Sequence, residues 1–368
     1  MINLAKKIIL LLAILQCAVP AFSHSEISGT DNALADFPRL AGETSDSARI
    51  QRAIDASKFG VLSIPAGEYL LDKPVKIANG ASLDLHKSAH LKAVAPMEYM
   101  LVFDGKDVFN PGSNYSAKED HNIFIRGGNF DCNGLSGGVL LTNYHHLVFR
   151  DSTIRNAKTV GLKINDEKRS GRGYELVASN IYMRCTMRGL AGNIGICIDD
   201  SDNHFIDCFV IDYTTGIFVR NGGSNRFTRC HVWGGPIPPQ KDGGQREMLE
   251  NSVCFNIRGS DTILTDCYAD TGMTGFLIDG HGARLFGCSV FNNYAKFKMD
   301  NPLSLRHKKG YLLVQGCLFT KMSPRASLYK GDGKGLIWQN NIINRFSPEE
   351  IGLPENIAKT PGVKSKMY

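Results

Sequence analysis

The sequence lacks the features that mark several common classes of protein. It has only 14 prolines beside 38 glycines, which suits many tight turns and not a disordered chain. There is no CxxC pair and no close cluster of cysteine and histidine, so that a zinc site has little support. The 42 basic residues exceed the 36 acidic ones without forming long basic runs, which argues against nucleic acid as a partner.

The N-terminus and the cysteine count predict an exported protein without a complete set of disulfides. Lys6 and Lys7 precede the apolar stretch Ile8–Leu15, and small residues follow up to Ser23, which is typical of a secretory signal. We expect residues 1–23 to be removed, since the apolar stretch is too short to span a bilayer; an uncleaved anchor is the alternative. Of ten cysteines, Cys17 lies in the signal, and the odd remainder cannot all pair. The location expected is periplasmic or secreted.

One line of sequence recurs with small changes and predicts the architecture. It reads GLKIND at Gly161, GICIDD at Gly195, GIFVRN at Gly216, CFNIRG at Cys254 and GFLIDG at Gly275. A unit of about 21 residues, lengthened in places by loops, indicates a solenoid. Short apolar runs split by Gly, Asn, Asp and Ser are typical of strands bounded by turns. We therefore predict an all-β protein, a right-handed parallel β-helix over residues 24–346 followed by a C-terminal tail, 347–368, that forms a loose cap or a disordered end.

A second recurring line supports the same prediction. We expect one small side chain per coil to stack at an inward corner. The predicted ladder consists of Ser152, Asn180, Cys208, Cys230, Cys267, Cys288, Cys317 and Asn341. A redox or metal role for these cysteines is the alternative interpretation. Each repeating unit is expected to hold two short strands.

The segment before the coils predicts a cap and carries a family resemblance. Ser45 or Asp46 can begin a short helix with Ile50, Ala53 and Ile54 on its apolar face, covering the open end of the solenoid. The run IQRAID, IPAGEY and GASLDL between residues 48 and 91 resembles the opening of pectate-lyase-like and polygalacturonase-like β-helix proteins. The compact coil with a signal also resembles exported proteins of bacterial exopolysaccharide clusters, such as that for amylovoran.

The residues just after the repeated strand are the candidate site, because equivalent positions of successive coils form one column. The candidates for catalysis are Asp166, Asp199, Asp200, Arg220 and Arg258, and those for substrate binding are Asn165, Asn221, Trp233, Asp279 and His281. We expect Asp300 and Lys330 to extend the column. Carboxylates on neighbouring rungs, about 5 Å apart, approach the separations that glycoside hydrolysis requires. The alternative is that acidic and basic columns form solvated salt bridges.

The resemblance to polygalacturonases is partial at the level of these residues. Their Asn-Thr-Asp and Asp-Asp lines are matched by Asn165-Asp166 and by Asp199-Asp200, whereas the threonine is missing. Their Gly-His-Gly is replaced by the segment after Arg220, and a Gly-His-Gly around His281 comes two coils later. A pectate-lyase-type elimination would instead need an Arg or Lys base and Ca²⁺; otherwise no cofactor or metal is expected.

Three insertions, 166–173, 234–251 and 300–309, are expected to build the walls of a binding cleft. Trp233, beside the second, can stack on a sugar or pack beneath the loop. The function expected is the binding or processing of a bacterial polysaccharide, compatible with an acidic one, in exopolysaccharide biosynthesis. The alternatives are a secreted lyase or hydrolase and a non-catalytic scaffold. The sequence leaves the oligomeric state open.

Overall fold

The computed structural model describes residues 29–106, 108, 123–165, 173, 175–186, 192–234, 246–247, 251–291, 297–298 and 301–358. The predicted signal, the last ten residues of the C-terminal tail and Asp166 lie outside these residues.

A short helix covers the first end of the molecule, as expected. Helix α1 (Ser47–Ala56) buries Ile50, Ala53 and Ile54. Asp46 is its N-cap, but its side chain makes no cap hydrogen bond. The carboxylate of Asp46 instead accepts hydrogen bonds from Arg39 Nε at 2.9 Å and from the backbone N–H of Leu70 at 2.9 Å. This ties the cap to the first coil.

Strand β1 (Asn32–Ala33) precedes the cap, and the strands that begin the coils follow it. They are β2 (Val61–Ile64), β3 (Gly67–Leu71), β4 (Val75–Ile77), β5 (Ser82–Ala93), β6 (Tyr99–Asp104) and β7 (Phe124–Asp131). A 3₁₀ turn, Leu34–Asp36, lies between β1 and α1.

Regular coils of short strands make up the rest of the domain. They are β8 (Gly137–Thr142), β9 (Val148–Arg150), β10 (Thr153–Arg155), β11 (Val160–Ile164), β12 (Val177–Ser179), β13 (Tyr182–Arg184), β14 (Ile194–Ile198), β15 (His204–Ile206), β16 (Phe209–Tyr213), β17 (Thr215–Val219), β18 (Arg226–Thr228), β19 (His231–Gly234), β20 (Arg246–Glu247), β21 (Val253–Ile257), β22 (Ile263–Thr265), β23 (Tyr268–Asp270), β24 (Thr274–Ile278), β25 (Ala283–Phe286), β26 (Ser289–Phe291), β27 (Phe297–Lys298), β28 (Leu303–His307), β29 (Leu312–Gln315), β30 (Leu318–Thr320), β31 (Ser327–Lys330), β32 (Leu336–Gln339) and β33 (Ile342–Asn344).

Two large parallel sheets result, and they confirm the right-handed parallel β-helix. The short sheet has ten strands in the order β4, β6, β8, β11, β14, β17, β21, β24, β28 and β31. The long sheet has 21 strands and bends along its length. The second recurring line forms two strands of the long sheet, as in β15 and β16. A coil therefore holds three strands, not the two expected.

The bend in the long sheet explains the second recurring line and corrects its alignment. At the bend the backbone has positive φ in every coil: Asp151, Asn180, Asp207, Arg229, Asp266, Gly287, Gly316 and Asn340. Glycine, Asn and Asp tolerate this left-handed conformation best. The next residue points inward. Asn180 therefore occupies the exposed bend, and Ile181 takes the inward place that we assigned to Asn180.

The inward ladder is otherwise as predicted, and it is a packing feature. Cys208, Cys230, Cys267, Cys288 and Cys317 are each at most 1% exposed. No disulfide forms among the nine cysteines described. Burial raises the pKa of Cys267, and also of Cys132 and Cys254 elsewhere in the core. Stacked rings such as Phe205 on Phe227, with centroids 5.1 Å apart, fill the neighbouring interior.

The glycine that opens the first recurring line is required by close packing. A Cβ at Gly195 would lie 2.2 Å from Val210 Cγ1, and one at Gly216 would lie 2.1 Å from Val232 Cγ1. Both contacts join the start of a short-sheet strand to the long sheet across the core. No side chain can enter these positions unless the sheets move apart.

The described part of the C-terminal tail forms two short helices. Helix α2 (Pro348–Ile351) begins with a capping box made by Ser347 and Glu350. The Glu350 carboxylate also accepts a hydrogen bond from Lys321 Nζ at 2.5 Å. Helix α3 (Glu355–Ala358) follows. These helices cover the last coil.

Candidate functional site

The candidate site lies where the strands of the short sheet end. Register pairs the last residues of β11, β14, β17, β21, β24 and β28. The residues that follow them therefore form one column, which we call the edge column. It consists of Asn165, Asp199, Arg220, Arg258, Asp279 and Lys308. Lys330 pairs with Arg306, which lies two residues before Lys308 on the outer face of the sheet. Lys308, and not Lys330, therefore extends the edge column. Asp300 lies outside the described residues.

Asp199 is the centre of a buried ion cluster. Its side chain is 1% exposed and accepts hydrogen bonds from Lys163 and Arg220. Arg220 binds both carboxylate oxygens, with Nε 2.6 Å from Oδ1. The Lys163 side chain is 5% exposed, whereas that of Arg220 is 35% exposed. Only the arginine of this cluster is therefore open to a ligand.

This arrangement limits what Asp199 can do chemically. A general acid in glycoside hydrolysis must deliver a proton from a carboxyl group to the leaving oxygen. Both oxygens of Asp199 are occupied by cationic donors and lie beneath them. In this geometry Asp199 orients Arg220 for a charged ligand and neutralises the buried Lys163.

Asp200 turns away from the cluster into the corner between the two sheets. It is 8% exposed. Its carboxylate accepts hydrogen bonds from Asn165 Nδ2 at 3.1 Å, from the N–H of Ser201 at 2.9 Å and from the N–H of Gly173. Asn165 is buried too, and its Oδ1 accepts a bond from Thr142 at 3.0 Å. Asn165 and Asp200 thus hold the corner together.

A buried hydrogen-bond chain continues from this corner. The hydroxyl of Tyr144 donates to Asn203 Oδ1 at 2.6 Å, and Asn203 Nδ2 donates to Asn225 Oδ1 at 2.9 Å. Asn225 Nδ2 donates to the carbonyl of Asp200 at 2.9 Å. Burial, followed by the charge of Asp200, raises the pKa of Tyr144. The chain links three coils, with Tyr144 reaching past the coil of β11 to Asn203.

The rest of the edge column is more exposed. The guanidinium of Arg258 lies 4.9 Å from the centre of the Phe218 ring. Asp279 accepts a hydrogen bond from Lys308 Nζ at 3.4 Å. Asn221 is exposed in the turn after Arg220. These residues lie along the same edge as Asp199.

Two predicted binding residues lie elsewhere. Trp233 is half-buried in the long sheet, where β19 pairs it with Ile211 and Asp270. The structure therefore does not bring it to the edge column. His281 lies two residues beyond Asp279, exposed, with its ring 5.3 Å from that of Tyr311. Asp166 follows Asn165 directly but lies outside the described residues.

The outer face of the short sheet contains a group that the sequence analysis missed. The strand register aligns one residue of this face from each of seven neighbouring strands: Lys163, Cys197, Phe218, Asn256, Leu277, Arg306 and Lys330. Asn256, between Phe218 and Leu277, is 7% exposed, and its Oδ1 has no hydrogen-bond partner within the described part of the chain. A buried acceptor without a donor is uncommon in folded proteins. Strand alternation could have indicated this face from the sequence.

The insertions interrupt the coils at both ends of the short-sheet strands. Residues 166–172 follow β11, and residues 235–245 lie between β19 and β21. The third segment was partly misassigned, because Leu303–His307 is strand β28 of the short sheet. His307 is 1% exposed, and its Nε2 lies 3.0 Å from the carbonyl oxygens of Lys309 and Gly310. It belongs to the core.

Comparison with known families gives one match by sequence profile. Residues 39–235 match the family described as rhamnogalacturonase A/epimerase, pectate lyase-like. A search of curated proteins finds no match. Among the helices of the described part of the chain, none is long and apolar enough to span a membrane.

Solved structures share the fold at low sequence identity. The surface adhesin PfbA of Streptococcus pneumoniae is 13% identical with a TM-score of 0.51, over 86% of this chain and 85% of that one. Tailspike protein 2 of bacteriophage CBA120 is 10% identical with a TM-score of 0.53, over 86% and 47%. The tailspike of Escherichia coli bacteriophage HK620, solved with a pentasaccharide, is 12% identical with a TM-score of 0.51, over 84% and 66%. The chain thus spans about half of the first tailspike.

Proposed function

This chain belongs to the rhamnogalacturonase A/epimerase family of pectate-lyase-like proteins, and on that premise we propose that it is an exported protein that binds and processes an acidic bacterial polysaccharide. Its place would be in the synthesis or late modification of an exopolysaccharide. The observation that carries the proposal is a run of cationic side chains along the short sheet.

The cationic run follows the direction in which the coils stack. We call it the cationic strip; its members are Arg220, Arg258, Arg306, Lys308 and Lys330. Two carboxylates, Asp199 and Asp279, share the edge column, and each is paired with a member of the strip. The strip crosses five neighbouring strands, from β17 to β31, which is about 19 Å at the usual strand spacing. An extended polyanion can lie along this length.

Neutral groups beside the strip suit the remaining surface of a sugar. The Oδ1 atom of Asn256 is buried, and it can accept a hydrogen bond from a sugar hydroxyl only if the side chains around it move. The ring of Phe218 on the neighbouring strand is half-buried and offers a flat apolar contact. Arg258 lies over this ring, so that charge and stacking meet within one pair of coils.

The arrangement favours recognition by charge over hydrolysis by two carboxylates. Asp199 and Asp200 are both engaged in buried hydrogen bonds, whereas Arg258 is exposed. Elimination next to a uronate uses a base and neutralisation of the carboxylate, and arginines of the strip supply the positive charge. The satisfied aspartates equally favour the second candidate, a scaffold that binds the polymer without cleaving it.

A pair of ligands that differ only in charge tests the proposal. Binding of polygalacturonate and of its fully methyl-esterified form would be measured at several salt concentrations. We expect the acid form alone to bind, with affinity falling as salt rises. Arg258→Ala should weaken binding about 10- to 100-fold, the equivalent of one charge-assisted hydrogen bond. Arg284→Ala, which removes the same charge from the long sheet, is the matched control. Equal binding of both polymers, or equal loss in both variants, would refute the proposal.

Turnover and biological role need separate measurements. Reducing ends and unsaturated uronates distinguish hydrolysis from elimination, with Asp200→Asn and Arg220→Ala as the variants. If binding persists while neither product forms, the protein is a scaffold. Deleting the gene and measuring the chain-length distribution of the secreted polymer tests synthesis. An unchanged polymer with impaired growth on an external polysaccharide would favour degradation.

A further inference from the structure

We propose that His145, His146 and Glu175 form a binding site for a divalent transition-metal ion of the zinc type. One ligand atom from each of these side chains lies within 4.8 Å of one from each of the others. His146 Nδ1 is 2.9 Å from Glu175 Oε2. The rings of the two histidines are perpendicular, with centroids 4.2 Å apart. This proposal does not depend on the polysaccharide function.

The solenoid brings these residues together from neighbouring coils. His146 and Glu175 occupy equivalent places, each two residues before a paired strand residue, Val148 and Val177. Both have positive φ, 51° and 61°. Asn, Asp and His are the usual occupants of such a conformation beside glycine, so that Glu175 is the uncommon one. The imidazole and the long carboxylate meet at this place.

The backbone around the three ligands is held by the core. Tyr144 and Leu147, on either side of the histidine pair, are at most 1% exposed, and Leu176 after Glu175 is fully buried. Tyr144 is further fixed by its hydrogen bond to Asn203. The side chains of His146 and Glu175 remain 44% and 46% exposed. The ligand atoms are therefore positioned by rigid coils and open to an ion from solvent.

The donor set decides which ion is bound. Two imidazoles and a carboxylate suit Zn²⁺ and related transition metals, whereas Ca²⁺ and Mg²⁺ prefer oxygen ligands alone. Three protein ligands leave the fourth tetrahedral position of zinc for water or another ligand. A bound ion would also link two successive coils, and would stabilise the folded chain because the unfolded chain holds no preformed site.

Calorimetric titration of the untagged, chelator-treated protein with Zn²⁺ tests the site. We expect one ion per chain, no competition by Ca²⁺, and a rise in melting temperature on binding. His146→Ala and Glu175→Gln should each weaken Zn²⁺ binding by more than about 100-fold, because even an outer-shell partner is worth 10- to 100-fold. His145→Ala should also lower the affinity.

The matched control is His231→Ala. His231 lies 3.5 Å from the carboxylate of Asp270, so the two residues form an imidazole–carboxylate pair outside the proposed cluster. The His231→Ala variant should keep full zinc affinity. Co²⁺ should give the visible spectrum of a tetrahedral site in the wild type and in this control, but not in Glu175→Gln. Circular dichroism verifies that each variant is folded. Zinc binding that is absent, or that is unchanged by Glu175→Gln and His146→Ala, would overturn the proposal.

Discussion

Replacing Asp199 by Asn should destabilise the protein strongly, because it leaves a buried ammonium without a counter-charge. The side chains of Asp199 and Lys163 are 1% and 5% exposed. Removing one partner of a buried ion pair typically costs about 3–5 kcal/mol. Arg220, at 35% exposure, can turn towards water and contributes less to this loss. We expect the free energy of unfolding to fall by about 3–5 kcal/mol.

Two further variants isolate the cause. Asp207 lies in the same coil as Asp199 and forms a similar bidentate pair with Arg229 of the next coil. The side chains of Asp207 and Arg229, however, are 38% and 56% exposed. Asp207→Asn should therefore leave stability unchanged within error, since exposed ion pairs contribute little. The double variant Lys163→Met with Asp199→Asn removes the stranded ammonium, and it should recover most of the loss.

Urea titration followed by circular dichroism and by the fluorescence of the two tryptophans measures these differences. The two signals should change together if the domain unfolds in one step. The reasoning is refuted if Asp199→Asn unfolds at the wild-type urea concentration. It is also refuted if the double variant is no more stable than Asp199→Asn alone.

Two tyrosines give further predictions. Tyr144→Phe should lower the free energy of unfolding by about 1–3 kcal/mol, because the buried Oδ1 of Asn203 loses its donor; urea titration measures this, with exposed Tyr311→Phe as the control, and equal stability of the two variants would contradict it. Burial raises the pKa of Tyr268 to about 12 from 10.0. The folded state thus holds a proton that the unfolded state loses, so the contribution of Tyr268 is fully present below pH 10 and is lost between pH 10 and 12. Tyr268→Phe should make the alkaline decline in stability shallower, and an unchanged decline would contradict this.

The repeating lines allowed the coil and its column to be predicted, because equivalent turns recur with equivalent residues. Asp199, Arg220, Arg258 and Asp279 do lie along one edge. Our prediction placed Asn180 in the inward ladder, whereas the next residue, Ile181, lies there. The error arose because Asn suits both the left-handed bend and an inward ladder. Only the strand register distinguishes the two places.

Other features depend on information that spacing does not carry. Lys163 lies within a repeated strand, and its pairing with Asp199 follows from the outward alternation of the short sheet. The group around His146 and Glu175 requires the register of two coils separated by a variable loop. Both carboxylate oxygens of Asp199 are taken up by hydrogen bonds to Lys163 and Arg220. These side-chain contacts cannot be read from the sequence repeat.

The column of unpaired thiols bears on how the chain must mature. Stacked equivalents keep their Cβ atoms about 4.8 Å apart, beyond the roughly 3.5–4.5 Å that a disulfide bridges. The wound coil thus keeps Cys208 and the cysteines stacked on it chemically separate. A chain still unwound has no such separation, so in an oxidising compartment winding has to outpace oxidation, and a slow-folding variant would accumulate cross-linked, misassembled species.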